Sequence, residues 1–379
     1  MGLKLDEKLI EQFRNAVNNE IFFQEKFKNF KGKNKWNIIC SAMDWITVTV
    51  DGLPNITLKH AKGLGYNHTE ALSLIQYIIT IDILTDAIRQ LFRVLYGNNT
   101  PYPLEDDKSI FNQSKLSDDK YFKHLRAVFG THQVNLSSVD GVQRHDGERF
   151  YASWPTQDPL HKNAFSVFLY SNNPNDDELR PFIISIDEVN MFAETRYNLL
   201  TNLIVKVSEI NKEHKQRCKQ ILIPKVDNPI EQLEILFKEN QKRFGSNYGY
   251  SHTIKNLNRI LSVDVDKIKD FDYEIIKKYR NHLISFIPVI RNELQNMKVN
   301  HPFQEFYHSG YEFEKIYMYL MDQEHPVGKM YFNKLVDLGI LPNYLKTSSD
   351  FNLKTLILDA LLYLKSCELG KRVNVRDLI

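Results

Sequence analysis

About 30 consecutive residues, from Asn67 to Gly97, show helical periodicity and carry apolar side chains around most of the helix circumference. Asn67 followed by Glu70 resembles a capping box, which marks the start of a helix, and Gly97 is typical of a helix end. Because such a helix needs other elements on nearly every side, the segment predicts the central helix of a bundle. Asp82 and Asp86 interrupt its apolar run and share one face, so we do not expect a membrane span.

The segments on either side of this helix predict further helices and a β-hairpin. Apolar residues recur at helical spacing over residues 5–29 and again over residues 35–52. Two apolar runs separated by a polar turn predict a β-hairpin near residues 164–187. Asp187 is then expected to cap a long helix over residues 187–219.

The length of 379 residues is sufficient for two or three domains, each with its own core. Pro224 and Pro229 frame a short polar stretch and predict a boundary between a first domain, 1–222, and a second, 225–379. The second domain shows helical periodicity throughout. The expected fold class is therefore mostly α: an antiparallel helical bundle with an inserted β-hairpin, followed by a second α-helical domain.

The composition is that of a soluble globular protein, with 42% hydrophobic and 25% charged residues. The formal net charge of +2 gives no overall attraction to nucleic acid, so an RNA-binding surface would have to be local. Cys40, Cys218 and Cys367 lie far apart without metal-ligand spacing, which favours a reducing compartment and argues against a zinc site. The charged N-terminus lacks a signal-peptide apolar region. We expect a cytoplasmic protein that uses no metal and no cofactor.

The segment DDKYFKHLRAVFGTH carries two residues suited to RNA hydrolysis. A predicted amphipathic helix presents Arg126 and, six residues later, His132. An arginine is a permanent cation that binds phosphate through two donors, and a histidine exchanges a proton near neutral pH. Gly130 is predicted to stop the helix in the left-handed conformation, so that the chain can fold His132 back towards Arg126.

The spacing alone is weak, because about one match of this kind is expected by chance in a chain of this composition. The polar stretch over residues 133–163 follows the pair and shows little periodicity. Irregular stretches of this length inside a compact domain are more often functional than incidental. Arg144, His145 and Arg149 are candidates for a phosphate-binding edge there, and a solvated polar loop is the alternative.

Several segments of the first 215 residues resemble the HEPN superfamily, helical proteins of prokaryotic toxin, abortive-infection and RNA-processing systems. WNIICSAMDWI is similar to the second helix of an abortive-infection-like branch, and YIITIDILTDAIRQL to its long central helix. That central helix often holds an acidic residue at the position of Asp86. The segment DDKYFKHLRAVFGTHQVN resembles the branch's signature, an aromatic-led helix with arginine followed by histidine. FSVFLYS and AETRYNLL fit the hairpin and the following helix.

This resemblance implies a metal-independent endoribonuclease of the defence or toxin type. In such enzymes the ribose 2′-OH attacks the adjacent phosphate and leaves a 2′,3′-cyclic phosphate and a free 5′-OH. His132 would polarise or deprotonate the 2′-OH, and Arg126 would neutralise charge on the phosphorane. Asp86 would orient Arg126 or His132 from the neighbouring helix. The resemblance also implies a homodimer with two such pairs in one groove, and RNA as the partner.

A second hypothesis is a non-catalytic dimeric module that acts as a scaffold, sensor or antitoxin-type partner. It rests on the near-neutral net charge of +2 and on two departures from the family, Ala127 where an Asn or Asp is frequent and Gln133 where a proline is frequent. A third, weaker hypothesis makes Tyr151 the acceptor of a nucleotidyl group from a partner enzyme.

Four further residues are predicted to have no catalytic role. His124 precedes Arg126 by two residues on the predicted helix and is expected to point away into solvent. Tyr121 and Phe122 are expected to pack in the core or at a dimer contact. Arg196 is expected to be structural, paired with Glu194 or with an acidic loop.

Overall fold

The computed structural model describes residues 2–19, 21–58, 67–112, 114–142, 147–265, 273–300 and 307–379. These residues are mostly helical, as the sequence predicts. They form two compact units, unit 1 with residues 1–211 and unit 2 with residues 212–379.

Unit 1 is built around one long helix, α4 (His68–Tyr96). The Asn67 side chain accepts the backbone N–H groups of Thr69 and Glu70 at 3.0 and 3.3 Å, and Gly97 ends the helix with φ of 91°. The prediction of a central bundle helix is confirmed, because α4 packs against helices on several sides and supplies much of the core. The other helices of the unit are α1 (Glu7–Asn18), α2 (Ile21–Lys28), α3 (Trp36–Gly52), α5 (Asp118–Arg126), α6 (Ile186–Tyr197) and the first part of α7 (Leu200–Gln220).

The apolar character of α4 also meets the length and hydropathy expected of a membrane span. Among the described helices, α4 is the one that is long and apolar enough to cross a membrane. Half of its most apolar stretch of 18 residues is buried inside the protein. This burial is what the core helix of a bundle requires.

A four-stranded antiparallel sheet lies between α5 and α6 in the sequence. The predicted hairpin is confirmed as β3 (Ala164–Ser171) paired with β4 (Arg180–Ser185). Two short strands, β1 (Phe150–Ala152) and β2 (Thr156–Gln157), pair with β3 along its other edge. They fall within the stretch predicted to be irregular. Strands of two and three residues are too short to show an alternation of apolar and polar side chains in the sequence.

Two helix predictions are wrong in detail. The expected helix over residues 5–29 is two helices, α1 and α2. The helix expected over 187–219 is interrupted after α6, and its cap is Ser185, whose hydroxyl accepts the Glu188 N–H at 3.4 Å. Asparagines stand at both interruptions, Asn19 after α1 and Asn198 after α6. Their side chains compete for backbone hydrogen bonds, so they favour helix ends over interiors.

Unit 2 is helical among its described residues. Its helices are the end of α7, α8 (Pro229–Phe244), α9 (Ser251–Leu261), α10 (Tyr273–Gln295), α11 (Tyr311–Met321), α12 (Pro326–Asp337) and α13 (Phe351–Leu369). Helix α13 is buried along much of its length, begins at an Asp350 cap and ends at Gly370 in the left-handed conformation. The division between the units falls inside α7, whereas the sequence places the domain boundary after that helix, at 222–225.

Candidate functional site

Unit 1 has a cavity of about 880 Å³ between α3, α4 and α5, and we call it the Arg126 cavity. Cavities of this size are typical of ligand sites. Its polar and charged lining consists of Asn37, Ser41, Asp82, Thr85, Asp86, Arg89, Gln90, Asp119, Lys123 and Arg126, with Trp45, Phe122 and Phe192 among the apolar residues.

Arg126 is the last residue of α5 and lies in this cavity next to a carboxylate. Its Nη1 donates to Asp82 Oδ2 at 2.6 Å, and the side chains of both residues are just over a quarter exposed, 28% and 29%. Its Nε is buried and has no partner among the described residues. A guanidinium has five N–H donors, so this arrangement fixes the side chain while leaving donors for an anion in the cavity.

Arg126 pairs with Asp82, one helical turn before the predicted partner Asp86. Asp86 lines the cavity, but its Oδ1 accepts from Gln90 Nε2 at 3.5 Å, and the carboxylate bonded to Arg126 is that of Asp82. Both aspartates lie on the same face of α4, so the sequence pattern could not separate them. The position at which α5 crosses α4 decides which of them is in reach.

The turn that follows Arg126 is π-helical, and the predicted left-handed stop at Gly130 is wrong. The turn spans Ala127–Thr131 and closes when the His132 N–H donates to the Ala127 carbonyl at 3.0 Å. The φ of Gly130 lies outside the left-handed region. Gly130 instead permits a close approach, because a methyl group there would lie 3.0 Å from Cδ1 of Ile79 on α4.

This difference can be tested by stability. Gly130→Ala is expected to change the free energy of unfolding by less than about 1 kcal/mol, because helical φ suits alanine and the end of the Ile79 side chain can shift. Gly97→Ala is the matched control, since Gly97 has a φ of 91° and open space around it. Strain alone should make that control cost about 1–3 kcal/mol in urea unfolding. An equal loss in both variants would contradict the π-helical turn.

His132 lies on the exposed surface immediately after the π-helical turn. Its carbonyl accepts the Asn135 N–H at 2.9 Å, which begins a tight turn. It is not among the residues that line the Arg126 cavity. The structure thus places one member of the predicted pair in the cavity and the other on an exposed turn that the same helix leads into. Gln133 continues the turn, with Nε2 donating to the Phe129 carbonyl at 3.2 Å.

An ion cluster in the wall of the cavity, with Arg196 as its fully buried member, was not predicted from the sequence. Asp119, in the first turn of α5, accepts from Arg89 Nη2 at 2.7 Å and from Arg196 Nε at 3.1 Å. Arg196 is fully buried, and its guanidinium carbon lies 3.9 Å from the centre of the Phe192 ring. The structural role of Arg196 fits the prediction, but its partner is not Glu194, whose carboxylate accepts the Lys4 N–H.

The beginning of α5 is also held by a buried carboxylate, that of Asp118. Asp118 is fully buried and accepts the backbone N–H groups of Ile110 and Phe111 at 3.2 and 3.0 Å. These bonds tie the preceding loop to the helix start. Asp118 and Asp119 together therefore fix the position of the helix that carries Arg126.

His124 is more buried than predicted, whereas Tyr121 and Phe122 pack as predicted. His124 was expected in solvent but is 9% exposed, and its Nε2 lies 3.2 Å from the Val139 carbonyl. Burial lowers the pKa of His124, and the hydrogen bond to Val139 opposes this effect only in part. The imidazole is therefore neutral at pH 7. Phe122 stacks on Phe192 at 4.3 Å, which confirms the core role. Tyr121 packs against Phe111 at 4.8 Å, and burial raises its pKa to about 12.

Two of the three predicted phosphate-edge residues, Arg144 and His145, lie outside the described residues. Arg149 is exposed beside β1, where its backbone N–H donates to Asn172 Oδ1 at 2.9 Å. It does not line the Arg126 cavity. Tyr151, the predicted nucleotidyl acceptor, lies on β1 and is partly exposed.

In the part of the chain that the structure describes, no group of three or more His, Cys, Asp or Glu side chains is placed to hold a metal ion. Comparisons of the chain with protein families, with curated proteins and with solved structures find no match.

Proposed function

We propose that the protein is a metal-independent endoribonuclease of the defence or toxin type, with Arg126 and His132 as its catalytic residues. The observation that carries the proposal is the placement of Arg126. Its guanidinium is held by Asp82 inside an 880 Å³ cavity, with donors left for a phosphate, at the end of the helix that leads to His132. The resemblance of this segment to the HEPN signature gives the reaction class.

In the proposed reaction His132 takes the proton of the ribose 2′-OH, and the 2′-oxygen attacks the adjacent phosphorus. The bond from phosphorus to the 5′-oxygen breaks, that oxygen takes a proton from water and leaves as a free 5′-OH, and His132 returns its proton to the solvent. Arg126 compensates the charge that builds on the non-bridging oxygens, the contribution expected to be largest. Lys123, another cation of the same cavity, is available for a neighbouring phosphate.

We also propose that the enzyme works in the cytoplasm as a homodimer, which supports catalysis by bringing two Arg126 cavities and two His132 turns together. The exposed side of α3 at the cavity supports this proposal. Ile38, Trp45 and Val48 lie on that side with 41%, 51% and 58% of their surface exposed. Burying such side chains against a second copy is favourable by roughly 25 cal/mol per Å² of apolar surface. Sedimentation velocity measures the oligomeric state directly. A monomer at micromolar concentration would contradict the proposed homodimer.

The proposal is tested by incubating purified protein with RNA in excess EDTA and identifying the fragment ends. We expect cleavage that persists in EDTA and yields 2′,3′-cyclic phosphate and 5′-OH ends. Fragments that carry 3′-OH and 5′-phosphate ends would contradict the proposed chemistry.

The exchange of roles between Asp82 and Asp86 gives a matched pair of variants. Asp82→Ala is expected to reduce kcat for RNA cleavage on the order of 10- to 100-fold, because Arg126 loses the carboxylate that orients it. Asp86→Ala removes a carboxylate from the same face and cavity without touching Arg126, so we expect less than about 3-fold change. Asp82→Asn, which keeps an acceptor oxygen, should recover part of the loss. Equal effects of Asp82→Ala and Asp86→Ala would contradict the assigned roles.

The alternative is a non-catalytic dimeric module that serves as a scaffold, sensor or antitoxin-type partner. One observation favours it: His132 does not line the cavity that holds Arg126. Phosphate binding makes RNA affinity fall steeply with salt. RNA affinity that does not change between 50 and 200 mM salt, together with absent cleavage, would favour the module over the nuclease.

A further inference from the structure

Unit 2 contains a cavity of about 640 Å³ that the nuclease proposal does not use, and we call it the Arg259 cavity. Its walls come from α9, α11 and α13, with two residues that precede α11 and one that follows it. The lining includes three basic side chains of α9, several aromatic rings and one carboxyl group. This volume lies within the range of small-molecule sites. Different parts of the cavity wall carry the basic, the aromatic and the carboxyl groups.

One wall of the cavity is a row of basic side chains on α9. His252, Lys255 and Arg259 follow one another at spacings of three and four residues, so they lie on one face of the helix. The row is about 10 Å long, from seven residues at 1.5 Å each. All three side chains are exposed, while the opposite face of α9 is in the core of unit 2.

The contacts of Lys255 and Arg259 are with neutral groups, and the carboxyl group of Asp359 acts on Arg259 through its charge. Arg259 Nη2 donates to Asn256 Oδ1 at 2.7 Å and Nη1 to Asn352 Oδ1 at 3.1 Å, and both acceptors are neutral amides. The ammonium group of Lys255 lies 5.3 Å from the centre of the Phe237 ring. Among the residues that the structure describes, neither cation forms an ion pair within 4 Å. Two cations without a direct ion pair in one wall can bind phosphate groups.

A second part of the wall is aromatic. The His308 ring stacks on the Tyr317 ring with centroids 4.3 Å apart and an angle of 18° between the planes. Burial lowers the pKa of His308, and the charge of Arg372 lowers it further, so the ring is neutral at pH 7. Flat neutral rings at a cavity wall are suited to stacking with a planar base.

The third part is the carboxyl group of Asp359, which accepts a hydrogen bond from the Tyr317 hydroxyl. Burial raises the pKa of Asp359 to about 6, against the opposing effects of the Tyr317 bond and the Arg259 charge. At neutral pH this group is mostly an anion, which repels phosphate and accepts from ribose hydroxyls or an amino group. The cavity therefore has a phosphate-binding wall and a separate wall for a base and sugar.

We propose that the Arg259 cavity binds a nucleotide that carries two or more phosphates, with the phosphates along α9 and the base beside His308 and Tyr317. One phosphate would engage only part of a row about 10 Å long, which is why we infer a di- or triphosphate. The proposal is independent of the Arg126 cavity and of the nuclease reaction.

Isothermal titration calorimetry of the full-length protein with ATP, GTP, AMP, adenosine and pyrophosphate tests the proposal. ATP or GTP is expected to bind at least 10-fold more tightly than AMP and than pyrophosphate. The double variant Lys255→Gln/Arg259→Gln should weaken that binding at least 10-fold, and Lys334→Gln, an exposed lysine on α12, should leave it unchanged. Thermal unfolding of each variant checks that the fold is intact.

His308→Ala separates the two walls. This substitution is expected to weaken the binding of ATP or GTP about 10-fold, because one aromatic surface for stacking is lost. The affinity for pyrophosphate should be unchanged. Three results would overturn the proposal: no binding of ATP or GTP at 1 mM, pyrophosphate binding as tight as that of the nucleotides, or equal affinities for the double variant and the wild type.

Discussion

We expect His132→Ala to reduce the rate of RNA cleavage by about 10²- to 10⁴-fold, the usual contribution of a positioned acid–base group. The fold should be unaffected, because the side chain is exposed and only the backbone of His132 makes the bonds that shape the turn. Cleavage rates under single-turnover conditions, compared with the urea midpoint of each protein, separate a lost proton acceptor from a lost fold.

His161 provides the control for this prediction. It is another exposed histidine of unit 1, on a surface turn beside Asp158. His161→Ala should cleave RNA at the wild-type rate, within about 2-fold. If His132→Ala and His161→Ala cleave equally fast, His132 has no catalytic role, and the non-catalytic module becomes the better account.

The largest loss of stability is expected from Asp119→Ala. Arg196 is fully buried and has Asp119 as its carboxylate partner, which also pairs with Arg89. Its two terminal nitrogens are already buried without partners in the described part of the chain. Removing the carboxylate leaves a buried, uncompensated guanidinium, for which about 3–5 kcal/mol is typical. Urea unfolding at pH 7 measures the loss.

Asp44→Ala is the matched control, because Asp44 also pairs with an arginine of unit 1, Arg14, at 2.9 Å. That carboxylate is 70% exposed, so its removal is expected to cost less than about 1 kcal/mol. A loss of under 1 kcal/mol in both variants would show that the Asp119 cluster does not hold α5 in place.

The elements that the sequence predicted well are those whose signals are local. Helix α4 follows from a continuous apolar pattern between an Asn67 cap and a Gly97 end, and the β3–β4 hairpin from two alternating runs around a polar turn. Both signals lie within a few residues of the structure they determine, so tertiary context has little to add.

The geometry of the candidate site depends on contacts that are distant in the sequence. Arg126 pairs with Asp82, 44 residues away, and Arg196 with Asp119, 77 residues away. The angle and position at which the helices cross determine which of the two aspartates pairs with Arg126. They also determine which arginine is buried. Periodicity gives the face of a helix but not that crossing.

The turn after Arg126 shows the same limit in a short segment. A glycine after an apolar helix predicts a left-handed stop, because that is its commonest use. Here Gly130 lies close to Ile79 on α4 in a helical conformation, and the helix widens into a π turn before His132. Close approach and left-handed φ both select glycine, so the residue alone does not distinguish them.

The central claim, attack by the ribose 2′-OH at a site formed by Arg126 and His132, is tested most directly with a modified RNA. A short RNA with one cleavage site is compared with the same RNA carrying 2′-deoxyribose at the nucleotide 5′ to that site. Our account predicts that the all-ribose RNA is cut in EDTA and that the deoxy substitution abolishes the cut while leaving RNA affinity unchanged. Cleavage of both RNAs at equal rates would contradict it.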